Sequence, residues 1–434
     1  MTDAEGATAA VRTPTDPWAL ALSGDGERRW QMLGEGAACG VARAAVVDRC
    51  APHLTSAGGG ALPVLQAHEI ALETLERIDS WLARGLAVAG WLGFELGAAL
   101  EHLPPASHGP LDRTADRALP AAELFAFAPE DLQPIELPAV AAGAAPGLPA
   151  GLVSQGPAFQ AAVRDGLAAI AAGEIYQVNL SVAVDLPAPG AVPLLHALAA
   201  LRAVQPVPFA LAMEGTGYRL LSGSMERFLH VQGDVVRSRP IKGTAARGET
   251  PQQDAEQARL LCASPKERAE NTMIVDMVRN DLQRACAMGS VRVPELLQAV
   301  AYKTLWHLES EVWGRLKNRS PAALLAVTLP PASVTGCPKV QAMRVIARTE
   351  ARRRGPYCGT VGVWLPDGRS DASVAIRQLV QVDGRARLDV GAGIVADSQP
   401  AAEWRELCLK AASGLRLWQT LHDLAVQRGA RGTP

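Results

Sequence analysis

Apolar residues recur at a helical period in three stretches beyond residue 150. The stretch 159–173 carries them at every third or fourth position and ends at a glycine, which predicts a helix with a normal stop signal. Residues 267–281 carry them on one helical face, and Ser264-Pro265 provides a start signal. Pro400 opens the third stretch, for which we predict a helix over 401–417.

Shorter apolar runs predict strands. Residues 176–184 predict one strand, and the runs 228–231 and 235–239 predict a β-hairpin around a central glycine. Residues 385–390 predict a strand that enters a glycine-rich turn at 391–393. Because helices and strands are mixed without a regular β-α-β order, the pattern predicts an α+β fold with antiparallel sheets.

One segment divides the chain by its composition. Residues 139–152 contain alanine, glycine and proline without a charge or a clear period, so we interpret them as a linker. The prediction is an N-terminal segment over 1–138, a catalytic domain over 153–420 and a C-terminal tail over 421–434.

Composition and charge exclude several classes of protein. The chain has 434 residues and a formal net charge of −2, which disfavours nucleic acid as the main partner because phosphate binding needs a basic surface. The acidic N-terminus does not resemble a signal peptide, and no apolar run is long enough to predict a membrane span. Seven scattered cysteines without a C-x-x-C pair are typical of a reduced, cytoplasmic protein.

The arginine cluster 352–354 is interpreted as a solvated helix end.

Two predicted helices carry pairs of glutamates at the same spacing. Glu267 and Glu270 lie on one helix, and Glu403 and Glu406 lie on the other. A spacing of three residues places both carboxylates of a pair on one face, where like charges destabilise the helix unless a cation offsets them. Four carboxylates from two helices suit Mg²⁺, which prefers oxygen ligands and keeps some of its water.

Eight segments, in order, resemble the motifs of the chorismate-utilising enzymes, which include anthranilate, aminodeoxychorismate, isochorismate and salicylate synthases. The resemblance covers about residues 155–417, and the segment 90–104 matches more weakly. The eight segments are GEIYQVNLS (173–181), SGSMERF (222–228), RPIKGTAARG (239–248), KERAENTMIVDMVRND (266–281), KTLWHLESEVWGRL (303–316), PPASVTGCPKVQAM (330–343), RGPYCGTVGVW (354–364) and VGAGIVADSQP (390–400).

The resemblance implies a fold and a set of site residues. The implied fold is a single α+β unit in which two antiparallel sheets pack face to face with helices outside, and the active site lies in a cleft of the C-terminal region. Glu270 and Glu406 match direct Mg²⁺ ligands, and Glu267 and Glu403 match ligands that act through water. The other matched positions line the pocket: Tyr357 and Arg377 at the pyruvyl carboxylate of chorismate, Gly391 and Gly393 through backbone N–H groups, Lys410 at a further carboxylate, and Gln177, Gly243, Thr244, His307 and Ser333 along the wall.

Three features indicate which member of the family the chain resembles most. Lys242 stands where aminodeoxychorismate synthases carry a nucleophilic lysine and the other members carry alanine. Gln177 replaces the lysine base of members that activate water, and the order S-x-T-G from Ser333 is that of aminodeoxychorismate synthases. Glu226 matches the general acid, although Met225 replaces the usual proline before it.

The resemblance implies amination of chorismate at C4, which gives 4-amino-4-deoxychorismate for p-aminobenzoate and folate synthesis. Lys242 would add to ring carbon C2, the C4 hydroxyl would leave with a proton from Glu226, and ammonia would add at C4. No segment resembles a glutaminase, so we expect the ammonia to come from a separate glutamine amidotransferase subunit.

Three alternatives stay open at this point. The first is anthranilate synthase component I, which aminates C2 and releases pyruvate. The second is an aminodeoxychorismate synthase of secondary metabolism. The third is a non-catalytic relative that binds tryptophan or another aromatic amino acid near residues 20–23.

Overall fold

Two antiparallel β-sheets form the centre of the protein. The computed structural model describes residues 21–23, 38–40, 46–54, 62–104, 119–215, 217–302 and 305–430. The strands within these ranges are β1 (Ala21–Ser23), β2 (Ala38–Gly40), β3 (Val46–Cys50), β4 (Ala87–Leu92), β5 (Ala122–Phe127), β6 (Gln133–Ile135), β7 (Gln177–Pro187), β8 (Phe209–Glu214), β9 (Tyr218–Ser224), β10 (Arg227–Gln232), β11 (Val235–Arg239), β12 (Ile241–Ala246), β13 (Arg292–Ala301), β14 (Leu305–Arg315), β15 (Gly336–Cys337), β16 (Thr360–Trp364), β17 (Ser370–Val374), β18 (Gln378–Val382) and β19 (Arg385–Ile394).

The order of the strands differs strongly from their order in the chain. The first sheet runs β15-β7-β19-β18-β9-β8-β1-β2-β6, and the second runs β12-β14-β11-β10-β17-β16-β4-β5-β3, with β13 paired to β14. Aromatic and aliphatic side chains at alternate positions of both sheets meet in a shared core, such as Trp91 and Phe125 from the second sheet and Leu211 and Leu220 from the first. The predicted fold class, α+β with two antiparallel sheets face to face, is confirmed.

Helices cover the outer faces of the sheets. Three of them begin with a hydroxyl residue followed by proline, and the hydroxyl oxygens of Thr250, Ser264 and Ser320 accept a hydrogen bond from the backbone N–H three residues later. No helix among the described residues is long and apolar enough to cross a membrane. The helices are α1 (Val64–Ala83), α2 (Phe94–Leu100), α3 (Ala150–Val153), α4 (Gly156–Ala171), α5 (Leu194–Val204), α6 (Pro251–Ala263), α7 (Pro265–Ala285), α8 (Pro321–Thr328), α9 (Lys339–Glu350) and α10 (Pro400–Ala430).

The structure corrects the predicted boundaries in two places. Residues 391–393, expected in a turn, lie inside β19, where each pairs with a residue of β7. The last helix continues to Ala430, so the expected tail from 421 begins as helix. The alternative of a tryptophan site near residues 20–23 falls partly outside the described residues, because Leu20 is not among them. Residues 21–23 form β1.

The segment 139–152 connects two parts of the same sheets. Strand β4 from the N-terminal part pairs with β16 from the C-terminal part, and β1 pairs with β8 in the other sheet. Both sheets therefore contain strands from before and after this segment, so the two parts share one core.

Candidate active site

The candidate site lies where β7 and β19 of the first sheet approach β12 and β14 of the second, beside α7 and α10. The centre of the site is the backbone of Gly393. A Cβ atom on this residue would lie 3.0 Å from Gln177 Nε2, 3.4 Å from Lys242 Nζ and 3.8 Å from Glu270 Oε2. The position of the missing side chain is thus surrounded by an amide, the terminal nitrogen of a lysine and a carboxylate. Such a space allows a ligand to approach the backbone closely.

We call the positions where Gly391 and Gly393 lack a side chain the glycine cradle. Gly391 lies two residues before Gly393 on the same face of β19 and forms its second part. A Cβ atom there would lie 2.7 Å from Asn179 Oδ1 and 2.8 Å from the Tyr357 hydroxyl. Lys410 Nζ donates a hydrogen bond of 3.4 Å to the Gly391 carbonyl oxygen. Burial raises the pKa of Tyr357 well above its ordinary value, so this hydroxyl keeps its proton and can donate it in a hydrogen bond.

Two amide side chains project from β7 into this space. Gln177 is 0% exposed and Asn179 is 8% exposed. Neither side-chain oxygen, nor the nitrogen of Gln177, has a hydrogen-bond partner among the described residues. Buried polar groups are almost always paired, so unpaired groups that border a cleft point to a ligand.

Glu226 is the buried acid of the site. Burial raises its pKa to about 7, although a hydrogen bond with Ser333 and the positive charge of Lys242 act in the opposite direction. Its backbone N–H donates to Ser224 Oγ at 3.1 Å, which fixes the chain at the position where Met225 replaces the family's proline. A carboxyl group with this pKa is half protonated near neutral pH and can serve as a general acid.

The wall opposite the glycines is formed by β12 and β14. His307 Nδ1 lies 3.2 Å from Thr244 Oγ1 and 3.3 Å from the carbonyl oxygen of Gly243. Burial lowers the pKa of His307 to about 4, so the ring is neutral at neutral pH. Because Gly243 offers only an acceptor, we assign the ring proton to Nδ1, which leaves Nε2 as an acceptor.

Arg377 is held in an unusual conformation at the edge of the site. Its φ of 52° lies in the left-handed region, which is rare for a residue other than glycine and is often found at functional sites. Its Nη1 donates to the carbonyl oxygen of Lys410 at 3.1 Å and to Ser413 Oγ at 3.3 Å. These bonds tie the guanidinium to α10 and leave other donors of the guanidinium for a carboxylate.

The four predicted metal ligands face each other across α7 and α10. Lys266 Nζ lies between them, 3.5 Å from Glu403 Oε1 and 3.9 Å from Glu270 Oε1. Burial raises the pKa values of Glu267 and Glu270. Burial alone would lower the pKa of Lys266, but Glu403 and the other three carboxylates raise it.

This group fits a hard divalent cation in its charge and in its donor atoms. Among the described residues, no three histidine, cysteine or acidic side chains already converge tightly enough to hold a metal ion. An ammonium group instead lies among the carboxylates, which shows that the group attracts positive charge. Four carboxylates brought together by two helices are the donors that Mg²⁺ prefers. Ser398 Oγ donates to Glu403 Oε1 at 2.7 Å and orients one of them.

The arginine cluster 352–354 is buried, so its interpretation as a solvated helix end is wrong. Arg354 Nε and Nη2 donate to the Glu350 carboxylate at 3.0 and 2.6 Å, and Arg352 Nη1 donates to Asp389 at 3.0 Å. The Glu350 carboxylate also accepts from the backbone N–H of Ser181 at 2.8 Å. These buried ion pairs join α9 to β7 and β19 and so fix the two strands that carry the cradle.

The structure brings all the predicted site residues into one region. Two residues that were not predicted also belong to it: Asn179, which a search along β7 two positions from Gln177 would have found, and Lys266, which is four residues before Glu270. The functional roles of the predicted residues remain predictions. These residues are Lys242, Glu226, Gln177, Gly243, Thr244, His307, Ser333, Tyr357, Arg377, Gly391, Gly393, Lys410, Glu267, Glu270, Glu403 and Glu406.

The chain is similar to known proteins in sequence and in structure. The family described as chorismate binding enzyme matches residues 41–416. The chain is 41% identical to an aminodeoxychorismate synthase of Streptomyces pristinaespiralis over 268 residues. These residues make up 61% of this chain and 37% of that protein. It is also 41% identical to an anthranilate synthase component 1 of Haloarcula marismortui over 240 residues. These residues make up 55% of this chain and 47% of that protein.

The chain belongs to the family of chorismate-binding enzymes. It spans between about a third and half of the length of these curated relatives. The anthranilate synthase component I from Streptococcus pneumoniae has the same fold, with a TM-score of 0.67, 20% identity and coverage of 94% of each chain.

Proposed function

We propose that the protein aminates chorismate at C4 and thereby forms 4-amino-4-deoxychorismate for p-aminobenzoate and folate synthesis. The observation that carries this proposal is the position of Lys242, whose Nζ borders the Gly393 cradle and whose charge acts on the buried acid Glu226. A nucleophile and a general acid in one cleft are what a displacement through a covalent intermediate requires.

The proposed reaction has two halves. In the first, the uncharged amine of Lys242 forms a bond to C2, the ring double bond shifts, and the C4 hydroxyl leaves as water with the proton of Glu226. In the second, ammonia forms a bond to C4, the double bond shifts back, and the bond between C2 and Lys242 breaks. The new C4 ammonium group returns a proton to Glu226, which restores both residues.

The other residues hold the substrate. Tyr357 and Arg377 would bind the pyruvyl carboxylate. Lys410, whose Nζ lies 2.7 Å from Glu406 Oε1, would contribute a further positive charge. The backbone N–H groups of Gly391 and Gly393 would meet a carboxylate where a side chain is excluded.

The metal site completes the contacts to the ring. Glu270 and Glu406 would bind Mg²⁺ directly, and Glu267 and Glu403 would bind it through water. The cation would neutralise the ring carboxylate of chorismate. Lys266 would then move aside from Glu403, because the two positive charges compete for the same carboxylates.

The ammonia would come from a separate glutamine amidotransferase subunit. Relatives named aminodeoxychorismate synthase component 1, such as that of Klebsiella aerogenes with 41% identity over 235 residues, support this expectation because a numbered component implies a second one.

A second candidate function is anthranilate synthesis, in which ammonia attacks C2. The specific observation in its favour is the relative from Haloarcula marismortui, which is as similar to the chain as the aminodeoxychorismate synthases are. Lys242 argues against it, since a lysine bonded to C2 would block attack at that carbon.

Product identity tests the proposal. Purified protein is incubated with chorismate, Mg²⁺ and an ammonium salt, and the products are identified by mass spectrometry and NMR. We expect the C4 amine from the unmutated chain and a loss of several orders of magnitude in Lys242→Ala. Lys317→Ala, an exposed lysine that donates to the Arg284 carbonyl oxygen away from the cleft, is the matched control. Anthranilate from the unmutated chain would overturn the assignment, and a fully active Lys242→Ala would overturn the covalent mechanism alone.

A further inference from the structure

Asn179 has a side chain that none of the roles above uses. Its Oδ1 lies at the Gly391 cradle, 2.7 Å from the position that a Cβ atom would take. This oxygen is buried and lacks a hydrogen-bond donor among the described residues. An unpaired buried acceptor is unfavourable, so a donor that reaches this oxygen would be bound favourably.

The backbone of Asn179 is fixed on both sides. Its N–H donates to the carbonyl oxygen of Thr335 at 2.9 Å, and its carbonyl oxygen accepts from Arg354 Nη2 at 2.6 Å. Thr335 ends the short turn that carries Ser333, the partner of Glu226. The Asn179 side chain therefore has a fixed origin on a backbone that is tied to the turn carrying Ser333.

Gln177 provides a second acceptor on the same face of β7. Both its Oε1 and its Nε2 are unpaired, and Nε2 lies 3.0 Å from the position that a Cβ atom of Gly393 would take. Alternate residues of a strand are about 6.6 Å apart at Cα, so two such side chains can reach one small molecule between them.

The number of donors on the reactants decides what these oxygens bind. Chorismate has carboxylate, ether and hydroxyl oxygens, and at neutral pH its one hydrogen-bond donor is the C4 hydroxyl. Ammonia has three N–H donors and one lone pair. Two unpaired carbonyl oxygens therefore match ammonia better than they match chorismate.

We propose that Asn179, together with Gln177, forms the ammonia subsite of this enzyme, with Asn179 Oδ1 accepting one N–H while the lone pair faces C4. This inference rests on the proposed function. The amides are neutral, so they hold ammonia without favouring ammonium, which has no lone pair to attack with; a carboxylate in their place would favour the ammonium ion. In this step the nitrogen lone pair forms the C4–N bond, the C2–Nζ bond breaks toward Lys242, and the excess proton passes to Glu226.

The two halves of the reaction separate this role from others. Without ammonia, the unmutated chain should form an adduct on Lys242 whose mass equals the chain plus chorismate less water. Asn179→Leu keeps the branching of the side chain at Cγ but removes the acceptor. We expect it to form the adduct at a rate within about twofold of the unmutated chain, and to raise the KM for ammonia about tenfold with the KM for chorismate unchanged.

Gln205→Leu is the matched control, because Gln205 also carries a buried amide without a partner but lies against Gly223 rather than against Gly391 or Gly393. This variant should leave the KM for ammonia unchanged. Asn179→Ser serves as a second variant if the leucine variant does not fold, as judged by circular dichroism.

Two results would overturn the subsite. One is an unchanged KM for ammonia in a folded Asn179 variant. The other is loss of adduct formation in a folded variant, which would assign Asn179 to the departing C4 hydroxyl. Absence of an adduct in the unmutated chain would instead refute the proposed function, so the two failures can be told apart.

Discussion

Glu226 should make the stability of the protein depend on pH near neutrality. Burial raises its pKa from 4.5 to about 7 in the folded protein, whereas the unfolded chain keeps the ordinary value. Between these two pH values the folded state binds a proton that the unfolded state does not. The free energy of unfolding from this group therefore falls as pH rises through the interval and stays constant above it.

The magnitude follows from the size of the interval. Each pH unit between the two pKa values changes the free energy by ~1.36 kcal/mol, so ionisation of buried Glu226 destabilises the fold by about 3 kcal/mol above neutral pH. Glu226→Gln replaces the acid with a neutral group of similar shape. Relative to the unmutated chain, the variant should gain about 3 kcal/mol of stability between roughly pH 4 and pH 8.

Urea denaturation of both proteins across this pH range measures the gain. The same variant should lose about 10²- to 10⁴-fold in turnover, because in the proposed reaction the C4 hydroxyl would then leave without a proton donor. In the unmutated chain, turnover should decline as pH rises through about 7, as the acid form of Glu226 is lost.

Glu309→Gln is a control variant that keeps the acid Glu226 but lowers its pKa. The negative charge of Glu309 contributes to the raised pKa of Glu226, and the Glu309 carboxylate accepts from the Tyr302 hydroxyl at 2.6 Å. Removing this charge should move the decline in turnover to lower pH while activity in acid persists. A stability difference between Glu226→Gln and the unmutated chain that does not vary with pH would refute the reasoning, as would full turnover by Glu226→Gln.

Three further predictions concern the metal, the partner and the buried ion pairs. EDTA should abolish turnover and added Mg²⁺ should restore it, whereas Glu270→Gln should fold normally but need far more Mg²⁺; full activity in EDTA would contradict the metal site. The purified chain should use ammonium salts but use glutamine only after an amidotransferase subunit is added, which an assay with and without that subunit decides. Arg354→Met should lower the free energy of unfolding by about 3–5 kcal/mol in urea denaturation, because it leaves Glu350 short of a buried partner; a loss below about 1 kcal/mol would count against that role.

The local sequence was sufficient where structure depends on neighbouring residues. The helix that begins after Ser264, the hairpin around Gly233 and the strand that begins at Gln177 follow from period and start signals within a few residues. The spacing of the glutamates likewise predicted that each pair shares a helix face. The motifs selected the residues of the candidate site because the family resemblance is carried by short continuous segments.

Long-range contacts decided the features that were predicted wrongly or missed. Arg354 looks like a surface residue among arginines, but its backbone N–H donates to Glu95 and its Nη2 donates to the Asn179 carbonyl oxygen, and both partners are distant in the chain. Gly391 and Gly393 look like turn residues, but β7 supplies a hydrogen-bonded neighbour for each, so the strand continues through them.

The sequence by itself determined most of the elements, the fold class and the candidate site residues. Only the tertiary structure decided what surrounds them: that Glu226 is buried enough for its pKa to reach about 7, that Lys266 lies between carboxylates from two helices, and that Asn179 has an acceptor without a donor. The physical reason is that periodicity depends on adjacent residues, whereas desolvation and charge interactions depend on distances between residues far apart in the chain.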